Sequence, residues 1–220
     1  MQFDATTINM LVKGIWETIY MVFLSSALSY VIGIPLGIAL VVTDKDGIRP
    51  NAAVYKVLDV ISNLLRSIPF IILLIVLIPF TRFVVGRSYG STATIVPLTI
   101  AAAPYIARMV ESSLKEVDAG VIEAARSMGA SDFQIVTKVM LVEARTSLIV
   151  GATISLGTIL GYSAMAGTVG GGGLGDIAIR YGYTRWQTDI MVVTVVLLVI
   201  LFQIFQTIGM KIANRLDRRK

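Results

Sequence analysis

The sequence predicts an all-α integral membrane protein with five transmembrane helices and a long cytoplasmic loop between the third and the fourth. Only 15% of its 220 residues are charged, whereas a soluble domain carries roughly 25%, and its mean hydropathy is +0.80. Five stretches contain no Asp, Glu, Lys or Arg, and four of them are 20 or more residues long. About 20 apolar residues cross the bilayer core as a helix. The composition therefore excludes a soluble globular protein.

The charge-free stretches predict one transmembrane domain over residues 1–220. The second stretch, residues 67–81, reaches spanning length only when residues 55–66 are added. The longest segment between spans is the predicted cytoplasmic loop at 109–145. The five predicted spans are residues 15–42, 55–80, 90–108, 146–166 and 190–210.

Small residues and prolines predict how the spans pack. Gly33 and Gly37 form a small-xxx-small pair, which lets another helix approach closely. Pro97 and Pro104 each remove a backbone donor from the third span, and a membrane tolerates this only where neighbouring protein covers the helix. The fourth span is rich in Gly, Ala and Ser, so we expect it to face another helix or a solute pathway. The bulky fifth span is expected to face lipid.

The distribution of basic residues predicts the orientation in the membrane. Thirteen Lys and Arg residues fall in the loops at 44–56 and 108–145 and in the tail from residue 211, against five on the opposite side. The positive-inside rule then places the N-terminus outside and the C-terminus in the cytoplasm of an inner or plasma membrane. Because this topology explains the net charge of +5, no nucleic-acid partner is expected.

The composition also excludes several kinds of active site. The chain contains no Cys and no His, which removes thiolate nucleophiles, imidazole-based triads and Cys/His metal sites. It contains no phosphate-binding loop of the form G-x-x-x-x-G-K-[S/T]. Gly170, Gly172 and Gly175 satisfy the pattern G-x-G-x-x-G, but no predicted strand precedes them. We therefore expect no catalytic or metal-binding residues, and a flexible loop end at this glycine cluster.

The loop at 109–145 is predicted to carry two amphipathic helices. Asp118 can cap the first helix, and Gly129 can end it in the left-handed conformation that glycine adopts without penalty. The second helix starts at Ser131, where residues 131–134 fit a capping box. Such a pair can dock onto another protein or lie on the membrane surface. The predicted apolar faces comprise Val121, Ile122, Ala124, Ala125 and Met128 in the first helix and Phe133, Val136 and Met140 in the second.

The same loop resembles a known motif. Glu123-Ala124-Ala125, Gly129 and Val139-Met140-Leu141 resemble the E-A-A-x-x-x-G-x(9)-I-x-L-P loop in the membrane subunits of ABC importers with the type I fold. The resemblance covers about residues 14–210 in span count and loop order. Val142 stands where the family has proline, so no enforced helix break is expected there. The stretches that look closest to methionine-uptake permeases are residues 66–74, 104–111, 161–167, 172–175 and 181–183.

This resemblance implies a permease subunit of an ATP-driven importer rather than an enzyme. The loop would act as a coupling helix that inserts into a cleft on a cytoplasmic ABC ATPase, present in two copies. That partner would bind ATP and Mg²⁺, and this chain would bind no cofactor. The other implied partners are an extracytoplasmic substrate-binding protein and a second copy of this chain. The implied cargo is a small amino acid, with methionine, as the D or the L form, expected first.

Seven loop residues are candidates for contact with the ATPase. Glu123 offers a charged hydrogen-bond acceptor, the small Ala124 and Ala125 let a partner surface approach closely, and Gly129 permits the elbow between the two helices. The complete set is Val121, Glu123, Ala124, Ala125, Met128, Gly129 and Leu141.

A candidate gate lies in the fourth span. Five helices enclose little space, so the pathway is expected between two copies of the chain. Met165 is the one bulky, flexible side chain among small residues there, and with Ser163 it is the candidate gate; the alternative is an ordinary packing methionine. An ATP-independent secondary transporter or channel would place a carboxylate near the bilayer midplane. The charge-free stretches contain none, and Glu17 and Asp59 are expected near span ends, so an ATP-driven importer is favoured.

Overall fold

The computed structural model of the chain describes residues 4–216, and in that range it contains helices and no β-strand. Besides its α-helices this range contains two π-helical turns, at Ile135–Met140 and Ala178–Tyr183, and a 3₁₀ turn at Gly167–Val169. The helices are α1 (Ala5–Thr43), α2 (Ala52–Ser67), α3 (Phe70–Val76), α4 (Ile78–Val85), α5 (Ser91–Lys115), α6 (Ala119–Ser127), α7 (Asp132–Gln134), α8 (Leu141–Glu143), α9 (Arg145–Ala166), α10 (Gly173–Ile177) and α11 (Thr188–Leu216).

The described residues contain four helices that are long and apolar enough to cross a membrane, or five when one broken pair is counted. The four are α1, α5, α11 and α9 with its continuation to Tyr183, and the broken pair is α2 with α3. The prediction of one continuous helix over residues 55–80 is therefore wrong. The chain breaks at Pro69, which has no N–H to donate and disfavours a helical conformation at Ile68.

By the density of its internal contacts, the described chain forms two compact units. Unit 1 comprises the residues up to Leu28, Ile68–Ala102 and Leu156–Gln206. Unit 2 comprises Ser29–Ser67, Ala103–Ser155 and the residues from Thr207. The long helices α1, α5, α9 and α11 each contribute residues to both units, so neither unit is a separate stretch of sequence.

In unit 2, α1 packs closely on α5 at the two predicted glycines. A Cβ built on Gly33 would lie 2.7 Å from Ile106 Cγ2, and a Cβ on Gly37 would lie 2.6 Å from Val110 Cβ. Real Cβ atoms do not approach other atoms so closely, so only glycine permits this separation between the helices. The predicted close approach is confirmed.

The helix α5 is continuous despite its two prolines. Pro97 and Pro104 are both buried, and 67% of the apolar part of α5 is buried inside the protein. Neighbouring protein therefore covers the positions where proline removes a backbone donor. The contrasting helix is α11, where only 17% of the most apolar 18-residue stretch is buried; that this helix faces lipid stays a prediction.

The core of unit 1 is built around aromatic stacking. Phe70 and Tyr162 have ring centroids 4.5 Å apart and an interplanar angle of 3°. Phe70 belongs to a buried cluster in which Tyr162 is a partly buried neighbour. Burial of such apolar side chains contributes roughly 25 cal/mol per Å² removed from solvent. The buried members of the cluster are Met21, Phe70, Leu74, Leu98 and Ala166.

Candidate functional site

The coupling segment, residues 118–142, begins with the predicted cap and elbow. The Asp118 carboxylate accepts a hydrogen bond from Gly120 N at 2.7 Å and so caps α6. At the other end Gly129 has a φ of 83°, and Ala130 N donates to Ala125 O at 3.1 Å. Only a residue that tolerates the left-handed region can occupy this position. Both local predictions are confirmed.

The faces of α6 differ from the prediction. Ala125 is 5% exposed and Ile122 is half-buried, so these two residues point into unit 2. Val121, Ala124 and Met128 are exposed, Met128 to 82%. Because 100° per residue places these three within 60° of one another, they form one strip, here named the α6 strip. Ala125 was expected to meet a partner, and this is wrong, since its side chain is already covered.

The second loop helix starts as predicted and then changes its period. Ser131 N donates to Gln134 Oε1 at 2.8 Å, which completes the capping box. The chain then enters the π-helical turn, whose wider period places Ile135, Val136 and Met140 in the interior. Phe133 was expected to share one apolar stripe with Val136 and Met140, but its side chain is 77% exposed while theirs are buried. A stripe drawn at 3.6 residues per turn fails here because the helix does not keep that period.

At Val142, where the importer family has proline, the helix is nearly continuous. Ala144 N donates to Met140 O and Leu148 N donates to Ala144 O, each at 2.9 Å, so α8 passes into α9 through Ala144 alone. Val142 is exposed and Leu141 is half-buried. With a backbone donor retained at residue 142, the coupling segment leads directly into a predicted membrane span.

Behind α6 lies a cluster of charges that the sequence did not predict, here named the ionic cluster. The Glu111 carboxylate lies 2.6 Å from Arg108 Nη1 and 2.8 Å from Lys115 Nζ. Arg108 also pairs with Asp59, and Lys115 Nζ lies 2.7 Å from Asp44 Oδ2. The cluster therefore joins the end of α1 and the middle of α2 to the last two turns of α5.

The ionic cluster is largely shielded from solvent at its centre. The Glu111 side chain is 7% exposed and the Arg108 side chain 18%. A hydrogen bond from Lys115 holds the pKa of the Asp44 carboxyl below its ordinary value. Removing one partner of such a buried pair leaves an uncompensated charge, which costs far more than the pair itself contributes. The sequence signal was the spacing of residues 108, 111 and 115 on one helix face, but nothing local pointed to Asp44 or Asp59.

In unit 1, the glycine segment at residues 170–175 is held by named contacts, so the expectation of a flexible loop end is wrong. Gly173 N donates to Glu17 Oε2 at 2.8 Å, and Leu174 N donates to Thr18 Oγ1 at 2.9 Å. These are unpaired donors at the start of α10, and side chains of α1 satisfy them. Glu17 was expected only to lie near the end of a span, and no local signal predicted that it caps a helix 156 residues away.

The other side of the glycine segment is bonded to the start of α5. Gly90 N donates to Gly170 O at 2.9 Å, and Thr94 Oγ1 donates to Gly171 O at 3.1 Å. Residues 170, 172 and 173 all have φ between 73° and 81°, which explains why glycine occupies them. The segment is therefore a fixed backbone turn in which side chains of α1 and α5 take up the hydrogen bonds.

The two candidate gate residues occupy different environments. Met165 is 46% exposed, and one turn before it Gly161 has open space where a Cβ would stand. Ser163 is 1% exposed, and its hydroxyl donates to Leu160 O at 2.7 Å. Ser163 therefore does not share the exposed face of Met165, contrary to the prediction, because residues two apart in an α-helix point about 160° away from each other.

Comparison with known proteins adds independent information. A family model described as "Binding-protein-dependent transport system inner membrane component" matches residues 29–220. A solved structure of the MetNI methionine ABC transporter in inward facing conformations, native crystal form, has a TM-score of 0.97 and 50% sequence identity. The match covers 98% of this chain and 100% of that chain.

Two curated relatives are similar over most of the sequence. A "Probable D-methionine transport system permease protein MetI" from Vibrio cholerae is 48% identical over 218 residues, which cover 99% of this chain and 97% of the relative. The "D-methionine transport system permease protein MetI" of Escherichia coli K12 is 54% identical over 158 residues, 72% of this chain and 73% of the relative. With helices in the same arrangement and a family match over most of its length, the chain belongs to the inner membrane components of binding-protein-dependent transport systems.

Proposed function

We propose that this chain is the permease subunit of an ATP-driven importer of methionine, and that its coupling segment docks onto a separate ABC ATPase. The observation that carries the proposal is the α6 strip, an exposed apolar strip on a helix that is capped at one end and turned sharply at the other. Residues at i, i+3 and i+7 are the anchors with which a helix enters a groove on another protein. The names of the relatives supply the cargo.

A protein partner suits the α6 strip better than a lipid surface does. Helices that lie in the membrane interface bury a large apolar face and carry many Lys and Arg residues on the polar face. The α6 helix has nine residues, only two of them on the exposed strip, whose third residue is the C-cap Met128, and the charges of α6 are one Glu and one Arg. That is too little apolar area and too little positive charge to hold a helix on a membrane.

The energy source belongs to a partner. As a transport component the chain is not itself an enzyme, and its sequence has no loop for ATP phosphates. ATP and Mg²⁺ would bind to two copies of the ATPase, while an extracytoplasmic binding protein would deliver methionine as the D form, the L form or both. The candidate contacts are Val121, Glu123, Ala124, Met128, Gly129 and Leu141.

The topology follows from the same proposal. Counting α2 with α3 as one broken span gives five spans in one domain. The thirteen basic residues in alternate loops and the tail put the N-terminus outside and the C-terminus and coupling segment in the cytoplasm. A second copy of the chain would complete the pathway for the cargo.

Met165 is the proposed gate of that pathway. Its exposed, flexible side chain lies next to the open space at Gly161, so a second copy could approach there. Met165→Ala is expected to raise the leak of methionine through the resting transporter by severalfold, measured in proteoliposomes without ATP. Met210→Ala, the same change in a half-buried methionine of α11, serves as the control. Equal leak in both variants would contradict the gate.

Reconstitution tests the function as a whole. The permease, the ATPase and the binding protein are copurified and placed in proteoliposomes, and uptake of D-methionine, L-methionine and other small amino acids is measured with and without ATP. Methionine uptake that depends on ATP and on the binding protein is the expected result. Uptake that persists without nucleotide would overturn the proposal in favour of a secondary transporter or channel.

A further inference from the structure

The loop between α1 and α2, residues 44–51, contacts the end of α5 just before the coupling segment, and it contacts the coupling segment itself within and after α6. Before α6, Asp44 Oδ2 lies 2.7 Å from Lys115 Nζ. Within α6, Arg126 Nη2 donates to Ile48 O at 3.3 Å. After α6, Arg49 pairs with Asp132. The loop therefore contacts the last turn of α5 through Asp44, the last turn of α6 through Ile48 and the first residue of α7 through Arg49.

The loop is itself tightly folded onto the helices that it joins. Arg49 N donates to Val42 O and Asn51 N to Thr43 O, each at 2.9 Å. At its far end the Asn51 side chain accepts from Val54 N at 3.1 Å, which caps the first turn of α2. Because these bonds leave few free dihedrals, a displacement of the loop must also displace the end of α1 and the start of α2.

Between the loop and α6 lies an open cleft of about 570 Å³. Its walls include Asp46 and Ile48 on the loop side and Ala119, Ile122 and Glu123 on the α6 side. Since a cleft rather than packed side chains separates the two elements, the polar contacts named above carry most of the connection. Removing a single contact should therefore have a measurable effect.

We propose that residues 44–51 form a brace that moves with α6 as one body, and that Asp44 is a positioning residue of the coupling mechanism. The proposal rests on the proposed function, and it adds the route by which movement of α6 reaches α1 and α2. From Asp44 the route continues through Lys115, Glu111 and Arg108 to Asp59 in the middle of α2.

The first test compares two aspartates of the same loop. Asp44→Asn removes the ion pair with Lys115, whereas Asp46→Asn changes a side chain that is 84% exposed and lies 3.7 Å from Lys45. In the reconstituted complex, methionine taken up per ATP hydrolysed is expected to fall about threefold or more in Asp44→Asn, within the range of known coupling effects. It should stay at the wild-type value in Asp46→Asn and recover at least in part in Asp44→Glu.

The ratio of uptake to hydrolysis separates positioning from a merely structural role. A variant that only lowers the amount of folded complex reduces uptake and hydrolysis together and leaves the ratio unchanged. An unchanged ratio in Asp44→Asn would overturn the proposal. The proposed function fails separately, since its failure would appear as a lack of ATP-driven uptake in the wild-type complex.

The second test locks the brace to α6 and does not depend on the stability of Asp44→Asn. The natural chain has no Cys, so Asp46→Cys with Ala119→Cys introduces the only two thiols of the permease, on opposite walls of the cleft. A bifunctional thiol reagent that spans the cleft is expected to leave ATP-driven uptake within about twofold of the untreated complex, because the two elements move together. Loss of uptake in the crosslinked double variant, with each single variant unaffected by the reagent, would overturn the proposal.

Discussion

The glycine segment of unit 1 and the coupling segment of unit 2 are built to a similar plan with different means of attachment. Each turns at glycine with positive φ, forms a short helix and then enters a π-helical turn. In the glycine segment, short polar side chains and backbone groups bond directly to the turn. In the coupling segment, long charged side chains reach across a cleft, and Gly129 has nothing within 4 Å of a Cβ position.

The two segments therefore differ in packing: the glycine segment contacts its own chain closely, whereas open space remains next to the coupling segment. In the glycine segment, a Cβ on Gly171 or Gly175 would lie within 3 Å of backbone atoms, so at these two positions the shape is set by packing within the chain. Around α6, space remains on one side and an apolar strip is exposed on the other, so a partner could complete its packing. Substitutions in and next to the two segments test this contrast, from the largest expected loss of stability to the smallest.

The largest loss is expected for Gly175→Ala in α10. A Cβ there would lie 2.5 Å from the Ala164 Cα, and backbone cannot move aside as a side chain can. Such overpacking typically costs 1–3 kcal/mol, and we expect about 3 kcal/mol here. Thermal unfolding in detergent measures it. Gly161→Ala is the control, since nothing lies within 4 Å of that Cβ position, and equal melting temperatures for the two variants would show that the segment is not tightly packed.

A smaller loss is expected for Glu17→Ala. This change removes the charged acceptor of Gly173 N, and hydrogen bonds to charged groups contribute about 1.5–3 kcal/mol. We expect a loss of about 2 kcal/mol and faster hydrogen exchange at residues 173–177, measured by mass spectrometry.

Two further variants sharpen the interpretation of Glu17. Glu17→Gln keeps an acceptor oxygen and should retain most of the protection from exchange. Lys13→Ala removes the ion pair in which Lys13 Nζ lies 3.8 Å from Glu17 Oε1. Because the Lys13 side chain is 77% exposed, its loss should change the free energy of unfolding by less than about 0.5 kcal/mol. If Lys13→Ala accelerated exchange as much as Glu17→Ala, the ion pair rather than the cap would hold the segment.

Of the three substitutions Gly175→Ala, Glu17→Ala and Gly129→Val, the last, in the coupling segment, is expected to cost the least stability. No atom lies in the way of the new side chain, so the cost is that of a left-handed residue with a Cβ, about 1 kcal/mol. Transport should nevertheless suffer more than stability does: membrane insertion stays intact, while ATP hydrolysis proceeds without uptake. Gly129→Asn, which tolerates this conformation better, should recover uptake. Normal uptake by Gly129→Val would contradict the elbow.

Local signals in the sequence correctly predicted the helix caps and the glycine turn of the coupling segment. The cap at Asp118, the turn at Gly129 and the capping box at Ser131 each involve only residues no more than five positions apart, so their roles can be worked out from neighbours along the chain. The close approach of α1 and α5 at Gly33 and Gly37 was also visible, because small residues one turn apart have few other purposes in a span.

Long-range and period-changing features were not predictable in the same way. Glu17 and Asp59 were placed near span ends, but their partners are separated from them by 156 and 49 residues. Phe133 was assigned to the same helix face as Val136 and Met140, and the π-helical turn makes this wrong. Ala125 was assigned to the face that meets a partner, because a pattern of apolar residues does not show which of them pack against the chain itself. The break at Pro69 was missed because hydropathy continues through it.

The π-helical turn at Ile135–Met140 has a consequence for how this sequence can vary. A π turn accommodates about one residue more than an α turn, and α8 follows it almost without interruption into α9. Deleting one residue from 135–140 would let the turn relax to ordinary helix at little energetic cost and would leave the flanking helical turns nearly in phase, because the widened turn already absorbs about one extra residue. The chain should therefore tolerate the loss of one residue at this position better than in a regular helix, where a deletion turns every residue beyond it by about 100°.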